Sequence, residues 1–547
     1  MEKNLQALFL HEKAQDLEVL FLTIIPYRDT IYSDFWINVR RSFMEREWKK
    51  RENIILTILL AGYLVFNGIL LAGHELWRDE ANVWLLVREL TPIQLFREIR
   101  YQGHPCLWYL LVMPFAKLNF PFKTISVLSF LVMGAGAGIF TFKAPFHPIT
   151  KLVCLLSPIF SYYYPVVARN YCLIALLLIL LAYYYPNRNE KPWLYGLLLG
   201  LLVQADTIAL ATAGLISLMW LYEGISQSIR ERKAAPLFNK AKGLLMPFVS
   251  LLLWMAEFRN VSDSPEYQFR QLAASDLLRE IRNFSYSILS RMTGQGQTFD
   301  TILMVLFLAA GILVTLRLKN LWPMIVMAGT FLFQAVFSIL VYQLHIWHYI
   351  AIGFTLIWFL WLGNRKDHEK EADSKRNRYW NISCGILSEA VLLLLSVTMF
   401  LRWNAPEESS SLKNALFGTY SDGVNVAAYI RENVDPGELI LSTDVSESST
   451  VQAYLGKKYI FYYAGSGRKA TYADYAGEQK ETVSYEELIA RVREAFPEKE
   501  DFYILESPGN CIEEIPDEAK AEFQVCYQTQ GETARDENYT LYRVTIE

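Results

Sequence analysis

The chain has 547 residues, with 52 basic and 56 acidic side chains and a net charge of -4. It is 53% hydrophobic with a positive mean hydropathy of +0.17, too apolar at this length for a soluble protein. The near-balance of charge offers no basic field and excludes nucleic acid as a partner, which leaves a protein of the lipid bilayer.

Residues 1–52 mix charge with short apolar patches, and no uninterrupted apolar region precedes a small-residue cleavage site. Their basic end, "RRSFMEREWKKREN" at 40–53, reads as a cytoplasmic segment that holds the start of the first span inside. A start at Met44 would keep that feature. A helical span needs about 20 apolar residues. Candidates run near 53–73, 123–142, 149–166, 169–186, 193–224, 243–258, 300–316, 321–342, 348–363 and 380–402. The run 193–224 is too long for one crossing and divides at "QAD", Gln204 to Asp206.

Basic residues at 230–242, 317–319 and 364–378 should face the cytoplasm, which puts 259–299, 343–347 and everything after Trp403 outside. The alternation does not close between 104 and 225, and a short or re-entrant segment at 105–118 is the simplest repair.

After the first span the chain gathers charge in "HELWRDEANVW", His74 to Trp84. Acidic residues favour the first turn of a helix, so Asp79 and Glu80 fit a solvated helix start. They equally fit a carboxylate held at the interface, able to take a proton from an acceptor hydroxyl while a lipid-borne donor approaches. Thr91 and Pro92 start a second helix. Val83, Trp84, Val87, Leu90, Leu95, Phe96 and Ile99 recur at helical spacing and should lie on the membrane surface.

"YQGHPCLWY", Tyr101 to Tyr109, brings the chain back to the membrane, with His104 either a packing residue or a ligand for phosphate or metal. "YYYPVVARNY" places Arg169 between two apolar runs, where it can snorkel or grip a phosphate with its planar fork. Asp206 is costly in an apolar stretch unless it faces a cavity. His345 and His348, about one turn apart, precede a late span. Tyr101, Asp206, His345 and His348 are candidate cavity residues.

From about 404 the composition turns polar. "GELILSTD", "KYIFYYA", "DFYILES" and "NYTLYRVTI" read as strands, and "GVNVAAYIREN", "SSTVQAYLG" and "SYEELIARVREAF" as helices, predicting a small α/β domain. Cys511 and Cys526 lie in this part and could pair if it is extracytoplasmic. The expected organisation is a cytoplasmic segment 1–52, a transmembrane domain 53–403 with an outer loop at about 74–104, and an extracytoplasmic α/β domain 404–547.

A first span, an outer loop with "WRDEANVW", two surface helices and the re-entering "GHPCLWYLL" together resemble the GT-C superfamily of membrane glycosyltransferases, which includes protein O-mannosyltransferases and aminoarabinose transferases. "ARNY" and the histidines before a late span extend the resemblance over most of residues 53 to 402. It departs at Cys106, where many members have a second proline.

The resemblance implies a mainly α, polytopic fold in a bacterial plasma membrane. It implies transfer of a sugar from a polyprenyl-phosphate-linked donor to an extracytoplasmic glycan, lipid or protein acceptor. Asp79 would be the base and Glu80 its partner, with Arg169, His104 and Arg78 near the donor phosphate. It leaves open a divalent cation, Mg or Mn, for which Asp79 and His104 are the candidate ligands. Two other classes compete. A transporter or flippase would use the same polar residues as a pathway but should show matching halves, and none is visible in the sequence. A non-catalytic membrane scaffold would work through its C-terminal domain alone.

Overall fold

The computed structural model describes residues 30–259, 270–365, 375–405, 411–473, 475, 482–513 and 523–545. Residues 1–29 of the N-terminal segment and 366–374 of the basic stretch lie outside the described residues. The chain forms two compact units, residues 1–58 and 59–547. The described part of the first unit is helical, and beyond Lys49 and Lys50 it exposes Ile54, Ile55 and Ile58, the apolar surface that lipid requires.

Seven helices are long and apolar enough to cross a membrane: Lys49–Gly73, Thr124–Lys143, Thr207–Glu231, Gln297–Leu318, Trp322–Leu340, Ile346–Gly363 and Ile382–Trp403. The protein is a mainly helical, multi-pass membrane protein with a small α/β domain at its C-terminal end. Ile346–Gly363 is buried along nearly its whole length and forms the centre of the bundle. The shorter apolar helices Leu107–Lys117, Tyr171–Tyr184 and Pro192–Ala205 pack with these, and the first coincides with the short segment read at 105–118.

The run 193–224 divides at Asp206, as expected from its length. The helix Pro192–Ala205 packs closely on Ala235–Glu257 because both carry glycine at the contact. A Cβ on Gly196 would overlap the Gly243 carbonyl, and one on Gly200 would meet the Met246 carbonyl oxygen at 3.1 Å. Small residues let membrane helices approach this closely, and here the contact anchors the helix that ends at Asp206.

One expected span differs. The run 149–166 is not one span: its helix, Pro148–Leu156, ends before Ser157, and residues 157–170 are irregular. Pro158 and Pro165 cannot sustain a helical ladder, and Tyr162 takes a left-handed φ of 68°. Irregular backbone at membrane depth must be satisfied by protein. Tyr63 Oη donates to the Phe160 carbonyl (3.1 Å), Asn67 Oδ1 accepts from Tyr162 N (3.1 Å) and Ser129 Oγ donates to the Tyr164 carbonyl (2.6 Å). Within the stretch 259–299, the helix Ala274–Thr293 buries Phe284, Ile288 and Met292.

The helices α1 (Arg78–Glu89) and α2 (Pro92–Glu98) form as expected, with the Thr91 hydroxyl and Gln94 exchanging cap hydrogen bonds. Most of the apolar residues expected against lipid pack on protein instead. Val83, Trp84, Val87, Leu90, Leu95 and Ile99 are buried inside the protein, because α1 is covered by α3 (Val445–Leu455) of the C-terminal domain on one side and by Leu107–Lys117 on another. An amphipathic pattern is the same whether lipid or protein supplies the apolar partner.

The C-terminal domain has a six-stranded sheet built from β1 (Ile440–Ser442), β2 (Phe461–Tyr463), β3 (Lys469–Ala470), β4 (Asp501–Glu506), β5 (Phe523–Gln528) and β6 (Thr540–Thr545), in the order β3-β2-β1-β4-β6-β5. β1 pairs in parallel with β2 and with β4, and the other pairings are antiparallel. Its core of Val426, Ile430, Ile440, Val451, Phe502, Ile504 and Leu541 is separate from that of the helical bundle. The four expected strands and three expected helices are all present, and β3 and β5 are additional. Cys511 and Cys526 are both free thiols, so no disulfide joins them.

Candidate functional site

A cavity of about 870 Å³ lies where α1, the Tyr101–His104 turn, residues 169–171, the Asp206 break and the start of Ile346–Gly363 meet the C-terminal domain. Of the residues singled out in the sequence, Arg78, Asp79, Tyr101, His104, Arg169, Asp206 and His348 line it. Glu80 and His345 do not.

Asp79 sits in the first turn of α1, at the positive end of the helix dipole. Its carboxylate forms a close ion pair with Arg169 Nη1. Arg169 reaches it from the irregular 157–170 segment, whose end is held by Ala168 N donating to Glu80 Oε1 at 2.5 Å. Glu80, expected as the partner of Asp79, is therefore turned the other way and is fully buried. Besides Ala168 N, its carboxylate accepts from Trp77 N at 3.0 Å and from His74 Nε2 at 3.2 Å. Its work is to clamp the outer loop to the segment that carries Arg169.

His104 follows Gly103, whose φ of 75° turns the chain back toward the membrane. The second guanidinium nitrogen of Arg169 donates to His104 Nε2 at 2.7 Å, so the ring's hydrogen is on Nδ1 and is donated to Asp206 Oδ2 at 3.0 Å. Asp206 Oδ2 also accepts from Asn170 Nδ2 at 2.5 Å, and Oδ1 from Ile208 N at 2.8 Å. The apparent cost of Asp206 in an apolar run is thus offset by three donors. The result is one continuous line, Asp206–His104–Arg169–Asp79, with the guanidinium between a carboxylate and a neutral imidazole.

His348 lies across the cavity. Its Nδ1 accepts from His345 N at 2.9 Å, and its Nε2 contacts Tyr171 Oη at 2.9 Å. His345 stacks on Trp347 with ring centroids 4.8 Å apart. Burial and the nearby Arg291 push the His345 imidazole below its ordinary pKa.

The fit of Asp79 and His104 to a divalent cation can be judged from their donors. Both are engaged by the Arg169 guanidinium, and Glu80 is committed elsewhere. Among the described residues no group of three or more His, Cys, Asp or Glu side chains could hold a metal. The residues present do not fit a resident divalent cation.

The sequence did not reveal the wall that the C-terminal domain supplies. Asp444, Ser446, Glu447 and Tyr475 line the cavity from the C-terminal domain. Arg78 Nη1 donates to Glu447 Oε1 at 3.1 Å, and Ser446 Oγ meets Tyr475 Oη at 2.9 Å. Asn82 and Gln102 both bind the Ala473 backbone. One feature could have pointed there. Asp444 to Glu447 follow the carboxyl end of β1, which has parallel neighbours on both sides, and α/β sheets place ligand crevices at such a point.

The loop is also clasped from below. Arg78 N donates to Glu537 Oε1 at 2.7 Å, and the buried Glu537 further accepts from Ser421 Oγ (2.6 Å) and Thr450 Oγ1 (3.1 Å). Desolvation pushes the Glu537 carboxyl up to about 7 against these hydrogen bonds. The Arg535 guanidinium lies over Trp77, Tyr420 and Trp347, at 4.6, 5.1 and 5.1 Å from the ring centroids.

Fold and site together define a multi-pass helical membrane protein with a polar cavity enclosed between its membrane core and a C-terminal α/β domain. No family model and no curated protein matches the sequence. Among solved structures, the chain is similar to ArnT from Cupriavidus metallidurans in the apo state, at 10% identity and a TM-score of 0.48 over 89% of this chain and 97% of that one. It is also similar to ArnT from the same organism bound to undecaprenyl phosphate, at 12% identity and a TM-score of 0.47 over the same shares.

Proposed function

We propose that this protein is a membrane glycosyltransferase that moves a sugar from a polyprenyl-phosphate-linked donor to an extracytoplasmic acceptor. One observation carries the reading: a carboxylate, Asp79, and a planar cation, Arg169, stand side by side in a cavity just beyond the C-terminal end of the first span. Inverting transfer needs this pair, a base for the acceptor hydroxyl and a fixed cation for the phosphate that leaves. The GT-C resemblance of residues 53 to 402 points the same way.

In this reading the donor phosphate takes the Arg169 fork, with His104 and Arg78 beside it. Asp79, released from the ion pair, takes the acceptor proton. The acceptor oxygen attacks the anomeric carbon as the bond to the phosphate oxygen breaks, and the electron pair leaves with the phosphate. His104 keeps Arg169 oriented through the swap, because its own tautomer is held by Asp206. The acceptor approaches from the wall formed by Asp444, Ser446 and Tyr475. In this reading the C-terminal domain faces the outside of a bacterial plasma membrane, a side with no nucleotide-sugar pool, so a lipid carrier must deliver the sugar.

The test is to supply purified protein with a set of polyprenyl-phosphate sugars and measure release of free polyprenyl phosphate, wild type beside Asp79→Ala. Release that depends on Asp79 supports the reading. Absence of release with every donor, from folded protein, overturns it in favour of a transporter or scaffold.

A further inference from the structure

The hydrogen bonds around His348 determine more than its position. His345 N donates to His348 Nδ1 at 2.9 Å, so that nitrogen carries a lone pair and the ring hydrogen is on Nε2. Nε2 therefore donates to Tyr171 Oη, 2.9 Å away, and Tyr171 can only be the acceptor in this contact. The Tyr171 hydroxyl keeps its own hydrogen, for which no acceptor occurs among the described residues. The ring lines the cavity, with the Arg169 guanidinium 5.7 Å from its centroid and the His104 ring edge-on at 5.9 Å. Nothing in its sequence context, one residue beyond Asn170 at the start of an apolar helix, distinguishes it from a packing tyrosine.

We infer that Tyr171 is the neutral hydrogen-bond donor to the leaving phosphate oxygen, and that His348 is its positioning residue. The inference rests on the glycosyltransferase reading above and adds a group to it. As the bond between anomeric carbon and phosphate oxygen breaks, the electron pair settles on that oxygen. The Tyr171 O–H hydrogen-bonds to it without giving up its proton, and the acceptor's proton goes to Asp79. Donation from His348 into Tyr171 Oη polarises the hydroxyl and strengthens the bond as charge develops. A second cation would bind the charged product more tightly, whereas a neutral donor stabilises the developing charge and still lets the lipid phosphate leave.

The experiment compares wild type, Tyr171→Phe, His348→Leu and the double variant, each checked for a normal melting profile. Three quantities are read: kcat and the donor KM for release of polyprenyl phosphate, and the dissociation constant of added polyprenyl phosphate. Tyr171→Phe keeps the ring and removes only the hydroxyl. It should lower kcat about 10- to 100-fold with a change of only a few-fold in KM for the donor, the loss expected of one hydrogen bond to a charged oxygen. His348→Leu should lose a comparable amount, and the double variant little more than either alone, since one acts through the other. A Tyr171→Phe protein with wild-type kcat, or fully additive losses, overturns the inference and leaves the glycosyltransferase reading standing. Wild type that neither turns over any donor nor binds polyprenyl phosphate overturns both.

Discussion

Asp206 Oδ2 takes the hydrogen of His104 Nδ1 at 3.0 Å, and by doing so leaves Nε2 as the nitrogen that accepts from Arg169. Asp206→Asn keeps the shape but weakens the acceptor and removes the charge. Such a partner one step behind a working side chain typically matters 10- to 100-fold, and kcat/KM for donor turnover should fall by about that much with little loss of thermal stability.

Asp79→Asn should abolish turnover, a loss of roughly 100- to 10,000-fold for a general base. It also removes the partner that competes for Arg169. Polyprenyl phosphate should therefore bind this variant as tightly as wild type or a few-fold tighter, which equilibrium binding would reveal. Arg169→Lys should do the opposite and weaken binding, because an ammonium cannot reproduce the two-pronged contact.

Glu80→Ala should act on folding. It strands the buried Trp77 and Ala168 amides and the His74 ring, each satisfied by one carboxylate. Removing one partner of a buried charged network costs about 3 to 5 kcal/mol. The variant should melt well below wild type in detergent, and unlike Asp79→Asn it should lose donor binding along with activity.

Glu537 gives a pH dependence. Its carboxyl stands at about 7 in the folded protein against an ordinary 4.5, so the folded state holds the proton more tightly than the unfolded chain. The stabilisation by the neutral form is complete below about 4.5 and is lost as pH rises through 7. The displacement from 4.5 to about 7 corresponds to about 3 kcal/mol. Melting temperature should fall between pH 5 and pH 8, and Glu537→Gln should flatten that fall.

The contact between Pro192–Ala205 and Ala235–Glu257 has room for hydrogen alone at Gly196. Gly196→Leu should push the helices apart and displace Asp206 at the end of the first. Reduced yield of folded protein, and lower activity in whatever folds, would register it.

Much of the membrane core was legible because hydropathy is a local property: a run either can or cannot span lipid. The outer loop was legible for a related reason, since Arg78, Asp79 and Glu80 break an apolar context abruptly. Adjacent carboxylates look alike in a sequence, however. Asp79 lines the cavity and Glu80 is buried in a clamp because Ala168, 88 positions away, presents an amide to one of them.

The sequence alone determined the membrane class of the protein, the positions of most crossings, the α/β character of the tail and seven of the side chains that line the cavity, because periodicity, apolar content and abrupt breaks in it depend only on neighbours in the chain. Tertiary structure decided the rest. It made 157–170 irregular by supplying hydrogen bonds from Tyr63, Asn67 and Ser129, and it covered α1 with protein instead of lipid. It brought Glu447 and Tyr475 to a cavity whose other walls lie more than 95 residues earlier in the chain. Hydrogen-bond donors, acceptors and tautomers are settled by whichever group arrives at 3 Å, and that choice belongs to the folded molecule.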